Sequence, residues 1–142
     1  MMITEARDMA NEKSYAGLII WTICFLLLET ACCFLVDIGL VLRCTIQLCS
    51  LGVTALVYII YVTERIYWIN GVTFEQAQRA TSEQRRQFAM AHLKLFMKFV
   101  VPFFFFSCFS YALKLSPWID FFVGCIGLIV VALATVKIKL ET

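Results

Sequence analysis

Apolar residues run almost unbroken from Tyr15 to Val62. As one helix this run of about 48 residues would extend roughly 72 Å at ~1.5 Å per residue. A hydrocarbon core is only about 30 Å thick, so the run must fold back once. The break falls at "VDIGL", where Asp37 and Gly39 are turn residues inside an otherwise apolar pattern. This predicts span one over 15–36 and span two over 40–62. A long polar stretch, Thr63 to Lys98, follows. Within it, Asn70-Gly71 signals a turn. Thr73-x-x-Gln76 and Thr81-x-x-Gln84 both match the capping box, so each is expected to open a helix. Phe88, Ala91, Leu95 and Phe99 then recur at helical spacing. The pattern predicts an amphipathic segment over 73–98, lying in the headgroups and running into span three at 96–115. "SPW" at Ser116–Trp118 offers an N-cap and a proline at the first helical position. Span four is expected over 118–136.

The predicted fold is therefore all-α. It is a single transmembrane domain over 1–142, a four-helix bundle of two hairpins with a cytoplasmic amphipathic helix between spans two and three. Composition agrees: 62% of residues are hydrophobic and 15% charged, against about 45–50% and about 25% in soluble domains. The net charge of +2 is uninformative, but its distribution is not. Four spans put both termini and the middle loop on one side. That side collects Arg7, Lys13, Arg65, Arg79, Arg85, Arg86, Lys94, Lys98, Lys137 and Lys139, leaving Arg43 and Lys114 on the other. By the positive-inside rule both termini are expected in the cytoplasm. Tyr58, Tyr61, Tyr67 and Trp68 at one interface, with Tyr111 and Trp118 at the other, fit aromatic belts. Small size and compact loops suggest a bacterial inner (plasma) membrane. Signal-peptide cleavage is not expected. Arg7 and Lys13 share the N-terminal segment with three acids, and in "LETAC" Glu29 stands where a lipoprotein box needs an aliphatic residue.

Charges inside the first hairpin are the candidate site. Asp37 reads as the turn itself, facing water. Glu29 lies roughly 12 Å below it on span one, and Arg43 roughly 9 Å below it on span two. An unpaired charge at a helix centre costs at least about 2.5–3.5 kcal/mol on insertion scales. A Glu29–Arg43 ion pair is therefore expected. Arg43, Gln47, Ser50 and Thr54 recur at i, i+4, i+7 and i+11 and form one polar stripe. In span one Thr22, Glu29 and Cys33 are expected to share a face, in span three Phe103, Ser107, Ser110 and Lys114, and in span four Asp120, Gly124 and Gly127. Such residues read either as interhelical packing or as a polar path lined by Glu29, Arg43 and Gln47. Asp37, Lys114 and Asp120 would then stand at its outer mouth.

Other chemistry is sparsely represented. Seven cysteines contain no Cys-x-x-Cys and read as small apolar side chains, although Cys32 or Cys33 lies at a level where it could pair with Cys44. His92, the one histidine, has no ligand partner at metal spacing and reads as an interfacial helix residue. No cofactor or metal is expected. The segment Thr63–Lys98 holds six basic and three acidic residues. Arg79, Arg85, Arg86, Lys94 and Lys98 are candidates for docking anionic lipid or a cytoplasmic partner. Nucleic-acid binding is not expected, because the basic cluster is short. No phosphate loop, nucleophile elbow or metal motif occurs. Four short helices with a glutamate in the first resemble the small multidrug transporter family in layout. The chain departs from it in the insert between spans two and three and in the arginine deep in span two, so that family's function is not carried over.

The functional expectation is a small polytopic membrane protein, non-catalytic, an interaction or accessory module of a membrane complex. Its partners would be the bilayer, a second copy or another membrane protein. The alternative is a subunit of a small-molecule or ion transporter or channel using the polar path around Glu29 and Arg43.

Overall fold

The computed structural model describes residues 13–35 and 37–140. The described residues are helical throughout their long segments and contain no strand. Helix α1 is Ala16–Leu35 and α2 is Ile38–Thr63. A 3₁₀ turn at Ile66–Trp68 leads to the short α3, Phe74–Arg79, then α4, Ser82–Ala112, and α5, Pro117–Thr135. α1, α2, α4 and α5 are each long and apolar enough to cross a membrane.

Local chemistry accounts for most of the boundaries. Asp37 precedes α2 in an extended conformation and accepts from the Leu40 and Val41 amides through its backbone carbonyl. Glu64 ends α2 in the left-handed region at φ 57°. Both predicted capping boxes form. Thr73 accepts from the Gln76 amide at 3.2 Å and Gln76 accepts back from the Thr73 amide at 2.9 Å. Thr81 and Gln84 repeat the exchange at 3.3 and 2.7 Å. Each box satisfies two of the amides that a helix start otherwise leaves without partners. Pro117 occupies the first turn of α5, where no amide is needed. The α4–α5 link turns at Lys114, which has φ 55°.

Packing centres on three helices. α2 packs against both α4 and α5, and these two against each other. The buried stripes follow helical spacing: Arg43, Ile46, Ser50, Thr54, Val57 and Ile60 on α2, with Phe96, Val100, Phe103, Ser107 and Ser110 on α4. α5 adds only Asp120 and Gly124. Its small residues let the backbones approach closely. A Cβ on Gly124 would collide with Ile46 and Phe103, and one on Gly127 with Phe99. α1 stands outside this core. It packs on α2 and buries no residue of its own. Trp21, Phe25, Glu29 and Cys32 form its half-buried stripe, and the Phe25 ring fills the space left by Gly52. Thr22 and Cys33 are exposed, so they do not share the Glu29 face as the sequence suggested.

The segment between α2 and α4 differs most from its expected form. The chain breaks at Ala80–Thr81, where the second capping box opens a new helix, and α4 runs as one helix from Ser82 through Pro102 to Ala112. The apolar face of its first turns is not left for lipid. Phe88 and Ala89 pack with Ile60, Ile66, Tyr67 and Ala77 in a small core, flanked by Ile138 and Leu140 from the C-terminal tail. Ser14 joins from the other end of the chain. Its carbonyl accepts from the Tyr67 hydroxyl at 2.9 Å and the Trp68 indole at 3.1 Å. A folded cap thus gathers both ends of the described chain and the middle segment.

Overpacking a filled helix contact costs about 1–3 kcal/mol. Gly124→Val is therefore expected to lower the chain's unfolding midpoint in detergent. Gly39→Val, where a Cβ meets nothing within 4 Å, should change it far less. Equal losses from the two would show that close approach of α5 is unimportant.

Candidate functional site

The predicted Glu29–Arg43 pair does not form; Arg43 pairs with Asp120 instead. One guanidinium nitrogen of Arg43, Nη1, donates to an Asp120 carboxylate oxygen and, at 3.1 Å, to the Ser110 hydroxyl. The other, Nη2, donates to the Leu115 backbone carbonyl. The Tyr111 ring lies 5.8 Å from the guanidinium carbon, within cation–π range. Asp120 and Ser110 have no exposed surface, and Arg43 is 7% exposed. Asp120 therefore does not stand at a mouth. It belongs to the buried clasp.

Each group is placed by its helix. Ser110 lies in the last turn of α4, Leu115 in the link, and Asp120 in the first turn of α5. Arg43 reaches all three from the second turn of α2. One side chain thus ties α2 to both arms of the second hairpin and to the turn between them. The close approach at Gly124, one helical turn beyond Asp120, brings α5 near enough for the contact. That run of Asp120, Gly124 and Gly127 was the signal in the sequence, since small residues on one face mark the nearest neighbour.

Glu29 lies elsewhere. Its Oε1 accepts from the Cys49 thiol of α2 at 3.4 Å. Its Oε2 is buried without a hydrogen-bond partner. The nearest polar groups of the α2 stripe do not reach it. Ser50 donates to the Ile46 carbonyl at 2.7 Å and Thr54 to the Ser50 carbonyl at 2.8 Å, both within α2. Such bonding to the preceding turn spends the hydroxyl proton locally. Gln47 turns toward α4, donating to the Phe103 carbonyl at 3.4 Å. Arg43, Gln47, Ser50 and Thr54 thus share a face, as expected from their spacing, but Glu29 is not on the surface they line. A lateral groove of about 250 Å³ opens between α2 and α4, lined by Leu40, Arg43, Cys44, Gln47, Phe104, Ser107, Cys108 and Tyr111.

The remaining candidates divide. Asp37 and Lys114 are exposed at the two turns, and Lys114 lies beyond the end of α4 rather than on its Ser107–Ser110 face. Arg85 is not free for docking. It bridges Glu64 at 2.8 Å and donates to the Ala77 and Ala80 carbonyls at 3.3 and 2.7 Å, closing the capped segment. Arg79, Arg86, Lys94 and Lys98 are exposed. Arg86 lies over the Tyr61 ring and donates to its hydroxyl at 3.2 Å. His92 is buried, with Nδ1 2.9 Å from the Phe88 carbonyl and its ring 4.5 Å from that of Phe88. Among the described residues no group of three or more His, Cys, Asp or Glu is placed to hold a metal ion.

Breaking a buried ion pair by removing one partner costs about 3–5 kcal/mol, whereas replacing both by apolar groups is often neutral. Arg43→Met and Asp120→Leu are each expected to destabilise the purified chain severely. The double variant should recover much of that loss in a detergent unfolding series. The Arg43→Met, Glu29→Gln cycle should instead be nearly additive. The opposite pattern of coupling would return Arg43 to Glu29. No protein-family model, curated protein or solved structure matches this chain.

Proposed function

We propose that this chain is a small polytopic membrane protein whose role is non-catalytic: an interaction or accessory module of a larger membrane complex. In this reading α1, α2, α4 and α5 cross the bilayer as two hairpins. Both termini and the capped segment face the cytoplasm, which the ten-to-two division of arginine and lysine supports. The host membrane on this reading is a bacterial inner membrane. One observation carries the functional part. The donor groups of the α2 polar stripe, on which a pore or catalytic centre would draw, are already engaged within the fold. Arg43 is spent on Asp120, Ser110 and Leu115, and the Ser50 and Thr54 hydroxyls on their own helix. What remains presented is apolar helix surface, together with Arg79, Arg86, Lys94 and Lys98 beside the cap. Cations at that level gain about 1 kcal/mol each next to anionic lipid.

A transport reading draws on a different observation. With Arg43 on Asp120, the Glu29 carboxyl has only the Cys49 thiol as partner and one buried oxygen with none. A carboxyl so placed in a membrane helix is a site for exchange of a proton or cation.

The deciding experiment is gentle purification from the native membrane followed by native mass spectrometry. The module reading expects a second protein in fixed stoichiometry. A lone chain or pure homo-oligomer, combined with an ion-coupled flux in liposomes that Glu29→Gln abolishes, would replace it with transport. Reconstituted chain whose flux is unaffected by Glu29→Gln would remove the transport reading.

A further inference from the structure

The start of α1 is folded onto the 3₁₀ turn at Ile66–Trp68, and the Trp68 ring is the platform between them. Its indole N–H donates to the Ser14 carbonyl at 3.1 Å. The opposite edge of the ring lies against Gly17, where a Cβ would stand 2.9 Å from Cη2. The Arg65 guanidinium carbon is 5.4 Å from the centroid of the same ring, within cation–π range. Its Nη1 would stand 3.6 Å from that Cβ, so the guanidinium is seated beside the first turn of α1. Lys13 is held in the same way, with Nζ 5.8 Å from the Tyr15 ring, and Tyr15 packs edge-on against Tyr67 at 5.6 Å. Two cations thus rest on aromatic faces at one junction. Among the described residues neither enters an ion pair. Glu64, the acid next to Arg65 in the chain, is spent on Arg85 and the Ser82 hydroxyl. A ring face attracts a cation but leaves its N–H donors unused.

We propose that Arg65 and Lys13 form a binding site for the phosphate of an anionic lipid headgroup, with Trp68 and Tyr15 as its floor. The inference rests on the reading that α1 and α2 cross the bilayer. Ala16 begins α1 and Thr63 ends α2, so the junction then stands at the level of the headgroups. Tyrosine and tryptophan favour that level, with the apolar ring toward hydrocarbon and the polar edge toward water. The guanidinium fork matches two phosphate oxygens at once, and the ammonium adds a point charge. Seating Arg65 on Trp68 before a ligand arrives removes part of the ordering cost of binding. Two unpaired cations favour a lipid of net negative charge over a zwitterionic one, whose own ammonium competes with them. A lipid is favoured over free phosphate because its chains can lie along the exposed apolar surface of α1 at Ile19, Ile20 and Ile23.

The full chain is first reconstituted into phosphatidylcholine vesicles and washed with alkaline carbonate. It is then taken into detergent and titrated with short-chain phosphatidylglycerol or phosphatidylcholine under native mass spectrometry. The wild type is expected to bind phosphatidylglycerol the more tightly, and inorganic phosphate at equal concentration should not displace it. Arg65→Gln should weaken phosphatidylglycerol binding about tenfold and leave phosphatidylcholine binding unchanged. Arg79→Gln, which removes an exposed cation from the middle segment, should cost less. Lys114→Gln, which removes the same charge at the opposite turn, should bind as the wild type does. Circular dichroism separates loss of the site from loss of fold. Should Arg65→Gln unfold, Arg65→Lys takes its place, with a smaller loss expected. Equal binding of the two lipids by the wild type would overturn the site and leave the membrane reading intact. Equal losses from the Arg65 and Arg79 variants would do the same, reducing the site to diffuse attraction. Displacement by inorganic phosphate would make the ligand a free anion and overturn the lipid assignment. Release of the chain by carbonate would overturn the membrane reading and the proposal with it.

Discussion

A guanidinium taken out of water must find acceptors for its N–H groups, and the folded chain offers Arg43 few places where it can. A carboxylate alone is insufficient, because the planar fork presents donors in several directions. Arg43 meets that demand with a carboxylate, a hydroxyl and a backbone carbonyl drawn from α4, α5 and their link. The requirement fixes more than a contact. It sets the level of the second hairpin against α2, and it sets which face of α5 turns inward. Burying such a pair is weak evidence of net stability, but an arrangement that left either charge alone would be strongly disfavoured. Slides or rotations of the hairpin that would part Arg43 from Asp120 are disfavoured on that ground.

The rest of the packing is consistent with this one constraint. Asp120 reaches Arg43 because Gly124 and Gly127 let α5 approach until Ile46, Phe99 and Phe103 occupy the space of missing side chains. At the far end of α2 no charge pair is buried, and the chain uses apolar packing instead: Ile60, Ile66, Tyr67, Ala77, Phe88 and Ala89. The two ends of α2 are therefore held by different physics. The clasp is directional and intolerant of displacement. The cap is closed by area, by two capping boxes and by Arg85 on Glu64.

Much of this order was legible in the residues. The four long helices follow from apolar runs set against helix length, and both capping boxes from two threonine–glutamine pairs. The middle segment was harder, because a face with Phe88, Ala91, Leu95 and Phe99 looks the same whether lipid or protein covers it. Only the tertiary position of Ile66 and Tyr67, in a turn with no periodicity of its own, decides between them. The charge pair failed for a related reason. Depth below a turn places a residue along the membrane normal but says nothing of which neighbour lies beside it. Depth pointed to Glu29 and set Asp120 at the outer mouth, yet Asp120 is the partner. The lateral order of helices chose between them, and its trace in the sequence was the glycine pair following Asp120, not the charge itself.

That outcome changes what Glu29 means. Were it paired with Arg43, its carboxylate would be a fixed strut, and α1 would be held as firmly as α5. Unpaired, it lies on the one long helix that buries nothing, opposite a thiol that is a weak donor. The chain thus places its strongest polar contact where three segments converge and its weakest where a single helix leans on another. Local opening is expected where buried contacts are fewest. In this molecule that is the α1–α2 seam, where Glu29 and Cys49 lie. Any chemistry that depends on motion or on access from the side, ion exchange at the carboxyl included, is therefore concentrated on that seam, away from the clasp that holds the other helices in place.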